Sequence, residues 1–249
     1  MQLTTITIDR QLVRYATHGA RHPQRWSDFE QRLALGWLYH DFSMEGTALL
    51  EQDIRHALNG DPGRHWSERR LYEQIRLAHQ AITTVLRTRR DPRRVFDLED
   101  LKQFHVLTMA PDDPAAGRYR KDLDPPPHYG HEVTRPPSIS YRLRKLVEGM
   151  SEDYRKIHPI RAAAMIHHEF MTAWPFDDRT GTAGRLLLNA WLLSSGYPPA
   201  IIPALQRQEY FDALAETPEK MTALVMEGIG TTLKATDSFF ELASSSMVA

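Results

Sequence analysis

The chain has 249 residues, a length that suits one large domain or two small ones. Lys and Arg number 31 against 32 Asp and Glu, and the net charge of -1 predicts no general affinity for nucleic acid or membranes. The absence of cysteine excludes disulfides, thiolate metal sites and cysteine nucleophiles. The N-terminus lacks the pattern of a signal peptide, and no apolar run approaches the roughly 18 residues of a membrane span, so we expect a cytoplasmic protein.

Apolar residues recur at steps of three and four along most of the chain, which is the spacing of one helix face. The predicted helices cover residues 29–42, 47–58, 68–86, 97–109, 138–156, 159–173, 183–195, 206–215 and 218–242. Asp97 is the predicted N-cap of the helix that follows it. No internal repeat or linker divides the sequence, which therefore predicts an all-α protein with a single domain, residues 1–249.

The segment 111–137 differs from the rest because its many prolines exclude a helix. It is also too long for a structureless loop in a compact domain unless it has a function. Residues 128–133, with Gly130 at the tip, are expected to form a small hairpin.

The most informative segment lies between the helices 159–173 and 183–195. The first helix ends against Pro175, and a loop with two acidic residues leads to the second. The N-terminus of a helix offers free N–H groups and a positive dipole end, which together can hold an anion. Arg185 lies one turn inside the second helix, with Asn189 one turn further on. Taken alone, the pattern also fits an ordinary capped helix start.

This segment resembles the motif of the Fic family, which reads His-Pro-Phe-x-Asp/Glu-Gly-Asn-Gly-Arg-x-x-Arg. The matching residues are Pro175, Phe176, Asp178, Gly181 and Arg185. The departures are Trp174 for the histidine, Arg179 for the first glycine, Thr180 for the asparagine and Thr182 for the first arginine. The resemblance extends over the flanking helices to about residues 30–215.

Two further segments resemble parts of that family. Residues 117–120 are similar to the region ahead of the family's flap, a hairpin that clamps the target segment, which implies a flap near residues 127–137. Residues 43–46 are similar to the family's inhibitory motif, Ser/Thr-x-x-x-Glu-Gly/Asn, with Asp41 at the hydroxyl position and Glu45 as the glutamate. The resemblance implies a Fic-type helical bundle. Its parts are N-terminal helices with an inhibitory-like motif (1–60), a Fic core (97–215), and C-terminal helices with a tail (216–249).

In the family, the histidine is the general base for AMP transfer from ATP, the acid holds Mg²⁺, and the loop and arginines hold the phosphates. Indole has no basic nitrogen, so Trp174 cannot act as a base, and losing such a base typically costs about 10²–10⁴-fold in rate. The β-carbon of Arg179 disfavours positive φ and predicts a reshaped phosphate loop. Thr182 removes a phosphate donor. ATP is therefore not an expected cofactor. Mg²⁺ stays open, with Asp178 as its one candidate ligand.

Several polar groups nevertheless remain at the expected pocket. The candidate catalytic residues are Glu45, Asp178, Arg185 and His131. The residues expected to line the pocket are Trp174, Asp177, Arg179, Thr180, Gly181, Thr182, Asn189, His167, His128 and Asp41. Each candidate has a structural alternative. Glu45 and Arg185 would neutralise each other as a buried pair, and His167 or Trp174 would serve as core packing.

Three functions remain open at this stage. The first, which leads because the pocket keeps polar groups, is an enzyme of altered chemistry acting on a small-molecule or protein substrate under the flap. On this hypothesis, Arg185→Ala abolishes activity and leaves the melting temperature nearly unchanged. The second is a catalytically silent protein that binds a partner or ligand as a regulator. The third is residual AMP transfer with another base. The last helix is apolar enough for a homodimer contact, and packing onto the core explains it equally well.

Overall fold

The computed structural model describes residues 4–88, 90–122 and 129–245, with side chains up to residue 241. Over these residues the fold consists of ten α-helices and three single 3₁₀ turns, without a strand. The helices are α1 (Thr5–Arg21), α2 (Pro23–Met44), α3 (Glu51–Leu58), α4 (Trp66–Leu86), α5 (Leu98–Val106), α6 (Ile139–Ser151), α7 (Pro159–Ala173), α8 (Thr180–Ser194), α9 (Arg207–Ala215) and α10 (Pro218–Ser245). The prediction of an all-α protein is confirmed for this part of the chain.

Helices α7 and α8 form the centre of the fold and pack against each other. Helix α10 packs along α7, whereas α4 and α5 pack on α8. Every residue of α8 except Leu193 is buried, as expected for a helix that neighbours enclose on all sides. No helix in the described ranges has the length and apolar character needed to cross a bilayer.

The ends of the helices follow from local chemistry. Asp97 caps α5 as predicted, because its carboxylate accepts hydrogen bonds from the N–H groups of Glu99 and Asp100. Helix α7 ends at Trp174, which adopts a left-handed conformation with φ of 42° ahead of Pro175. Proline disfavours helical geometry in the residue before it, so the chain must leave the helix here.

The predicted β-hairpin is wrong for residues 129–137, which contain no strand. Pro127 and His128, also assigned to the hairpin, lie outside the described residues. The physical reason is that this segment bonds to the end of α7 instead of to a second strand. The N–H of Thr134 donates to the carbonyl of Thr172 at 2.9 Å, and the guanidinium of Arg120 donates to the carbonyl of Thr134.

Helix α2 separates two regions of the molecule. It starts with Pro23 in its first turn, where the missing N–H of proline carries no penalty. Near its C-terminus, Asp41 and the capping residue Glu45 reach the N-terminal half of α8. Gly36 and His40, also on α2, line a cavity bounded by α10 and residues 201–203. The first of these regions contains the candidate site.

Candidate functional site

The turn that starts α8 keeps a compact form despite its substitutions. Arg179 has φ of 58° and is the N-cap of α8, so this residue adopts the positive φ that its β-carbon was predicted to disfavour. A left-handed non-glycine residue costs about 1–2 kcal/mol. The hydroxyl of Thr180 helps to hold the turn, because it donates to the carbonyl of Phe176 at 2.9 Å and accepts from the N–H of that residue at 3.0 Å.

A buried arginine lies at the centre of the site. The Nε of Arg185 donates to Asp41 Oδ1 at 2.6 Å, and its Nη2 donates to Glu45 Oε1 at 2.6 Å. Thr182 donates its hydroxyl to the other oxygen of Asp41 at 2.8 Å. The predicted pairing of Glu45 with Arg185 is confirmed. Burial alone would lower the pKa of Arg185, but Asp41, Tyr129 and Glu45 reverse this effect and hold the pKa well above its ordinary value.

Tyr129 completes this arrangement from the segment predicted as the flap. Its hydroxyl donates to Glu45 Oε1 at 2.7 Å and accepts from Arg185 Nη1 at 3.2 Å. Its ring packs edge-on against Trp174, with 4.5 Å between the ring centroids, and against Phe211 at 5.0 Å. Burial and the charge of Glu45 raise the pKa of Tyr129 well above its usual value, so the hydroxyl stays protonated.

Gly181 shows how tightly the first turn of α8 is covered. A β-carbon at this position would lie 1.9 Å from Tyr129 Oη and 2.3 Å from Glu45 Oε1. Neither distance is compatible with a van der Waals contact. Tyr129 and Glu45 therefore fill the space in which a ligand would have to approach the start of the helix. We refer to Asp41, Glu45, Tyr129, Thr182 and Arg185 as the Arg185 cluster.

A second layer of hydrogen bonds lies behind the cluster. Arg185 Nη1 also lies 3.4 Å from the hydroxyl of Tyr210, which in turn lies 2.9 Å from His167 Nε2. The other ring nitrogen of His167 lies 3.0 Å from the carbonyl of Gly184. Burial lowers the pKa of His167 to about 3, so the ring is neutral, with Nδ1 donating to the carbonyl and Nε2 accepting from Tyr210. His167 is a hydrogen-bonded core residue in this structure and does not line an open pocket.

Trp174 and His131 are both enclosed. Trp174 is 2% exposed, and its indole N–H has no hydrogen-bond partner in the described part of the chain. His131 is buried beside it, with Nδ1 3.3 Å from the carbonyl of Tyr129 and Nε2 3.0 Å from that of Met171. Because both nitrogens face main-chain carbonyls, His131 does not present a basic nitrogen to the start of α8 in this arrangement.

The remaining predicted pocket residues are dispersed. Asn189 lies away from the cluster, where its Oδ1 accepts from the N–H of Ala200 at 2.8 Å and fixes the loop after α8. Asp177 is exposed, and His128 lies outside the described residues. Asp178, whose side chain is 65% exposed, accepts the N–H of Arg179 at 2.8 Å. Of the predicted residues, Thr180 supports the turn, and Asp41, Glu45, Asp178, Arg179 and Thr182 border open space.

That open space is a polar depression of about 230 Å³ beside the cluster. Its walls are formed by Asp41, Phe42, Glu45, Thr47, Arg70, Gln74, Asp178, Arg179 and Thr182. Arg70 and Gln74 were not predicted from the sequence. The periodicity of α4 identifies the buried face of the helix, but it does not show which residues lie opposite the polar face. The depression is smaller than the 300–1,000 Å³ of ordinary ligand pockets.

Two residues outside the motif hold the loop between α7 and α8. Arg120 donates from Nε to the carbonyl of Trp174 at 2.6 Å, and its own N–H donates to the carbonyl of Pro175 at 2.8 Å. His105 stacks on Phe176 with 4.0 Å between the ring centroids, and burial lowers its pKa to about 4. The periodicity of the sequence did not predict a role for His105, which is buried on the inner face of α5.

The site does not fit a nucleotide with Mg²⁺ in this arrangement. The Arg185 cluster holds one guanidinium against two carboxylates, so its formal charge of about -1 opposes a phosphate. Arg185 directs its donors at protein oxygens, and the N-terminus of α8 is covered. No group of three or more metal-binding side chains occurs among the described residues, and Asp178 is the only predicted Mg²⁺ ligand.

Comparisons with known proteins agree with this fold. The Fic/DOC family profile matches residues 95–192. The "Protein adenylyltransferase Fic" of Culex quinquefasciatus is 28% identical over 191 residues, which cover 74% of this chain and 37% of that protein. The protein of the same name from Drosophila willistoni is 26% identical over 184 residues, with 71% and 35% covered. The chain thus spans little more than a third of the length of these curated relatives.

Solved structures with the same fold include residues 134–508 of Fic-1 from C. elegans, with a TM-score of 0.71 and 22% identity over 94% of this chain and 72% of that one. A Fic domain containing signaling protein from Bacteroides thetaiotaomicron matches with a TM-score of 0.71 and 18% identity, over 92% and 97% of the two chains. At these identities the structures indicate the fold alone. The family profile and these structures agree that the chain is similar to Fic/DOC proteins over residues 95–192 and shares their fold.

Proposed function

We propose that this chain is a catalytically silent Fic-fold protein that acts by binding, as a regulator, and does not transfer AMP from ATP. The observation that carries the proposal is the filled space at the start of α8, where Tyr129 Oη and Glu45 Oε1 lie within 2.3 Å of the position of a β-carbon on Gly181. A nucleotide phosphate has no room to reach the helix N-terminus unless both side chains leave.

The lack of a base supports the same proposal. Trp174 replaces the histidine of the family motif, and its indole nitrogen is a donor only. The nearest imidazoles do not compensate, since His167 is held by Tyr210 and Gly184 and His131 faces two carbonyls. Losing a general base alone costs about 10²–10⁴-fold in rate.

The alternative of an enzyme with altered chemistry depends on polar groups that are left over for a substrate. In this structure those groups satisfy one another. Arg185 pairs with Asp41 and Glu45, while Thr182 and Tyr129 donate to the same two carboxylates. The retention of buried polar residues therefore has a structural explanation, which removes the main reason for preferring altered chemistry.

A second candidate is a protein adenylyltransferase held in an inhibited state. It is favoured by the name of the curated relatives and by the contact of Glu45, in the inhibitory-like motif, with Arg185. The left-handed Arg179 also keeps the turn in which the family motif places a glycine. This candidate requires that Glu45 and Tyr129 move away together and that another base acts.

Calorimetric titration with Mg·ATP, combined with mass spectrometry of AMP-modified protein, separates the two. For a silent protein we expect no binding heat with the wild type, and no AMP transfer by Glu45→Gly or by Glu45→Gly with Tyr129→Ala. Adding Trp174→His to the double variant Glu45→Gly with Tyr129→Ala is the positive control, because it restores the base where both covering side chains are removed. AMP transfer by Glu45→Gly with Trp174 in place would contradict the proposal in favour of the inhibited enzyme.

The regulatory role predicts a binding partner, which we expect at the rim of the polar depression. Affinity capture with the intact chain is compared with Arg70→Glu and Asp178→Arg, two exposed changes that reverse the charge of the rim. A partner that binds the wild type and is lost in both variants supports the proposal. Equal capture by all three proteins argues against this face as the binding surface.

A further inference from the structure

A second cavity lies against α2, in a region that the Fic motif does not reach. It has a volume of about 400 Å³ and lies between α2, α10 and residues 201–203. Most of its wall is apolar, formed by Phe29, Leu33, Ile201, Pro203, Ala235 and Phe239. The volume falls within the 300–1,000 Å³ of small-molecule sites, which are typically apolar with few polar groups.

Gly36 explains why this groove is open. It lies in the middle of the 22-residue helix α2 and lines the cavity, yet a β-carbon there would meet nothing within 4 Å. Glycine inside a helix costs about 0.5–1 kcal/mol relative to alanine. Packing therefore does not require a glycine at this position. Its effect is to leave room above the helix, at a cost in stability.

Two polar residues of α2, Arg32 and His40, line the groove at positions far apart along the helix. Arg32 is exposed, with its guanidinium carbon 5.1 Å from the ring centroid of Phe239, and it pairs with no carboxylate in the described part of the chain. His40 accepts the N–H of Ala204 on Nδ1 at 3.2 Å, which leaves its Nε2–H as a donor. Eight residues separate Arg32 from His40 on one helix, a distance of about 12 Å at 1.5 Å per residue.

We propose that this groove binds an elongated small molecule with an apolar body and an anionic head, of the class of medium-chain carboxylates. The carboxylate pairs with Arg32, and the chain lies over Gly36 among Leu33, Phe29 and Phe239. His40 lies at the other end and donates to an oxygen on the far end of the ligand where one is present. The proposal does not depend on whether the protein transfers AMP, since the groove shares no residue with the polar depression.

Isothermal titration of the full chain with decanoate, decan-1-ol and 10-hydroxydecanoate tests this site. We expect saturable one-to-one binding of the two acids, with 10-hydroxydecanoate the tighter. The alcohol should bind about fivefold more weakly, because an ion pair with an exposed arginine contributes up to about 1 kcal/mol. Arg32→Met should weaken the acids by a similar factor, whereas His40→Phe should remove only the advantage of the hydroxylated acid.

The matched pair Gly36→Phe and Gly36→Ala tests the location. The phenylalanine side chain fills the groove and should abolish binding, while the alanine variant should bind as the wild type does; circular dichroism checks that both are folded. If Gly36→Phe does not fold, the surface variant Arg32→Met still tests the site, because it should weaken the binding of both acids. The proposal is overturned by no saturable binding of either acid, by equal affinity for the alcohol, or by full binding in a folded Gly36→Phe. A dimer of the wild type that Gly36→Phe dissociates would likewise overturn it in favour of a second copy of the chain.

Discussion

The two regions that α2 separates each contain a glycine, and the surroundings of the two glycines are opposite. Toward α8, a β-carbon on Gly181 would collide with Tyr129 and Glu45, so glycine is required for close packing. At the groove, a β-carbon on Gly36 would contact nothing within 4 Å, so glycine is not required by packing. The first region is a closed, charged cluster and the second is an open, apolar groove.

This difference indicates where to look for function in a chain that departs from the Fic motif it resembles. At the motif, the polar groups pair with one another and leave a depression of only about 230 Å³. The groove on α2 is larger, at about 400 Å³, and carries a cation without a carboxylate partner among the described residues. On the proposed function, the motif site serves a structural role, whereas the groove combines the volume and the polarity of a ligand site.

A substitution at Arg185 should have the largest effect and tests whether the Arg185 cluster is closed. Replacing Arg185 by methionine leaves the buried Asp41 and the half-buried Glu45 without a cation, which should cost about 3 kcal/mol in the free energy of unfolding. The expectation that a change at Arg185 leaves the melting temperature nearly unchanged does not fit this burial. Urea denaturation at pH 7 measures the loss, with the exposed Arg70→Met as the matched control, expected within about 0.5 kcal/mol of the wild type. A loss below about 1 kcal/mol for Arg185→Met would mean that the cluster is open to water.

Gly181→Ala tests the close packing directly. Its methyl group must displace Tyr129 or Glu45, and overpacking of this kind costs about 1–3 kcal/mol. Urea denaturation measures the loss of stability, and near-ultraviolet circular dichroism reports the displaced ring of Tyr129 against Trp174. Wild-type stability in this variant would show that the space at the start of α8 is not filled.

The buried His167 predicts that the cluster side is sensitive to acid. The pKa of His167 is about 3 in the folded protein, against the ordinary 6.5 of an exposed histidine. Below pH 6.5 the unfolded chain therefore binds a proton that the folded chain does not bind. Stability is therefore full above pH 6.5 and falls as the pH drops toward 3, by up to about 1.4 kcal/mol per pH unit. Denaturant unfolding between pH 7.5 and 5 measures this slope. His167→Gln, which can bond both Gly184 and Tyr210, should make the slope shallower and leave the part that the buried His105 contributes. An unchanged slope would exclude His167 as a source.

Gly36→Ala is the smallest expected effect and has the opposite sign. The added methyl group meets no atom and improves the helix, so the variant should gain about 0.5–1 kcal/mol in unfolding free energy. Thermal denaturation of wild type and variant side by side is sufficient. A loss of stability would indicate that the groove is closed in solution, and it would weaken the contrast between the two glycines.

Much of the fold follows from local pattern. The periodicity of residues 68–86 and 159–173 predicts α4 and α7 almost to their ends, and Asp97 caps α5 as expected. These features depend on neighbours within a few residues of the chain, so the sequence expresses them directly. The sequence also predicted that Glu45 and Arg185 face each other, but only through the resemblance to a family motif.

What the sequence determined by itself is nine of the ten helices in the described residues, all except α1, and the loss of the basic residue at Trp174. Tertiary structure alone decided that the site is filled. Tyr129 bonds to Glu45 across 84 positions of the chain, and Arg185 bonds to Glu45 across 140. It also decided that residues 129–137 lie on the end of α7 without forming a strand, and that His167 belongs to the core. A buried polar group takes whichever partner the packed helices bring within 3 Å, and no local periodicity encodes that choice.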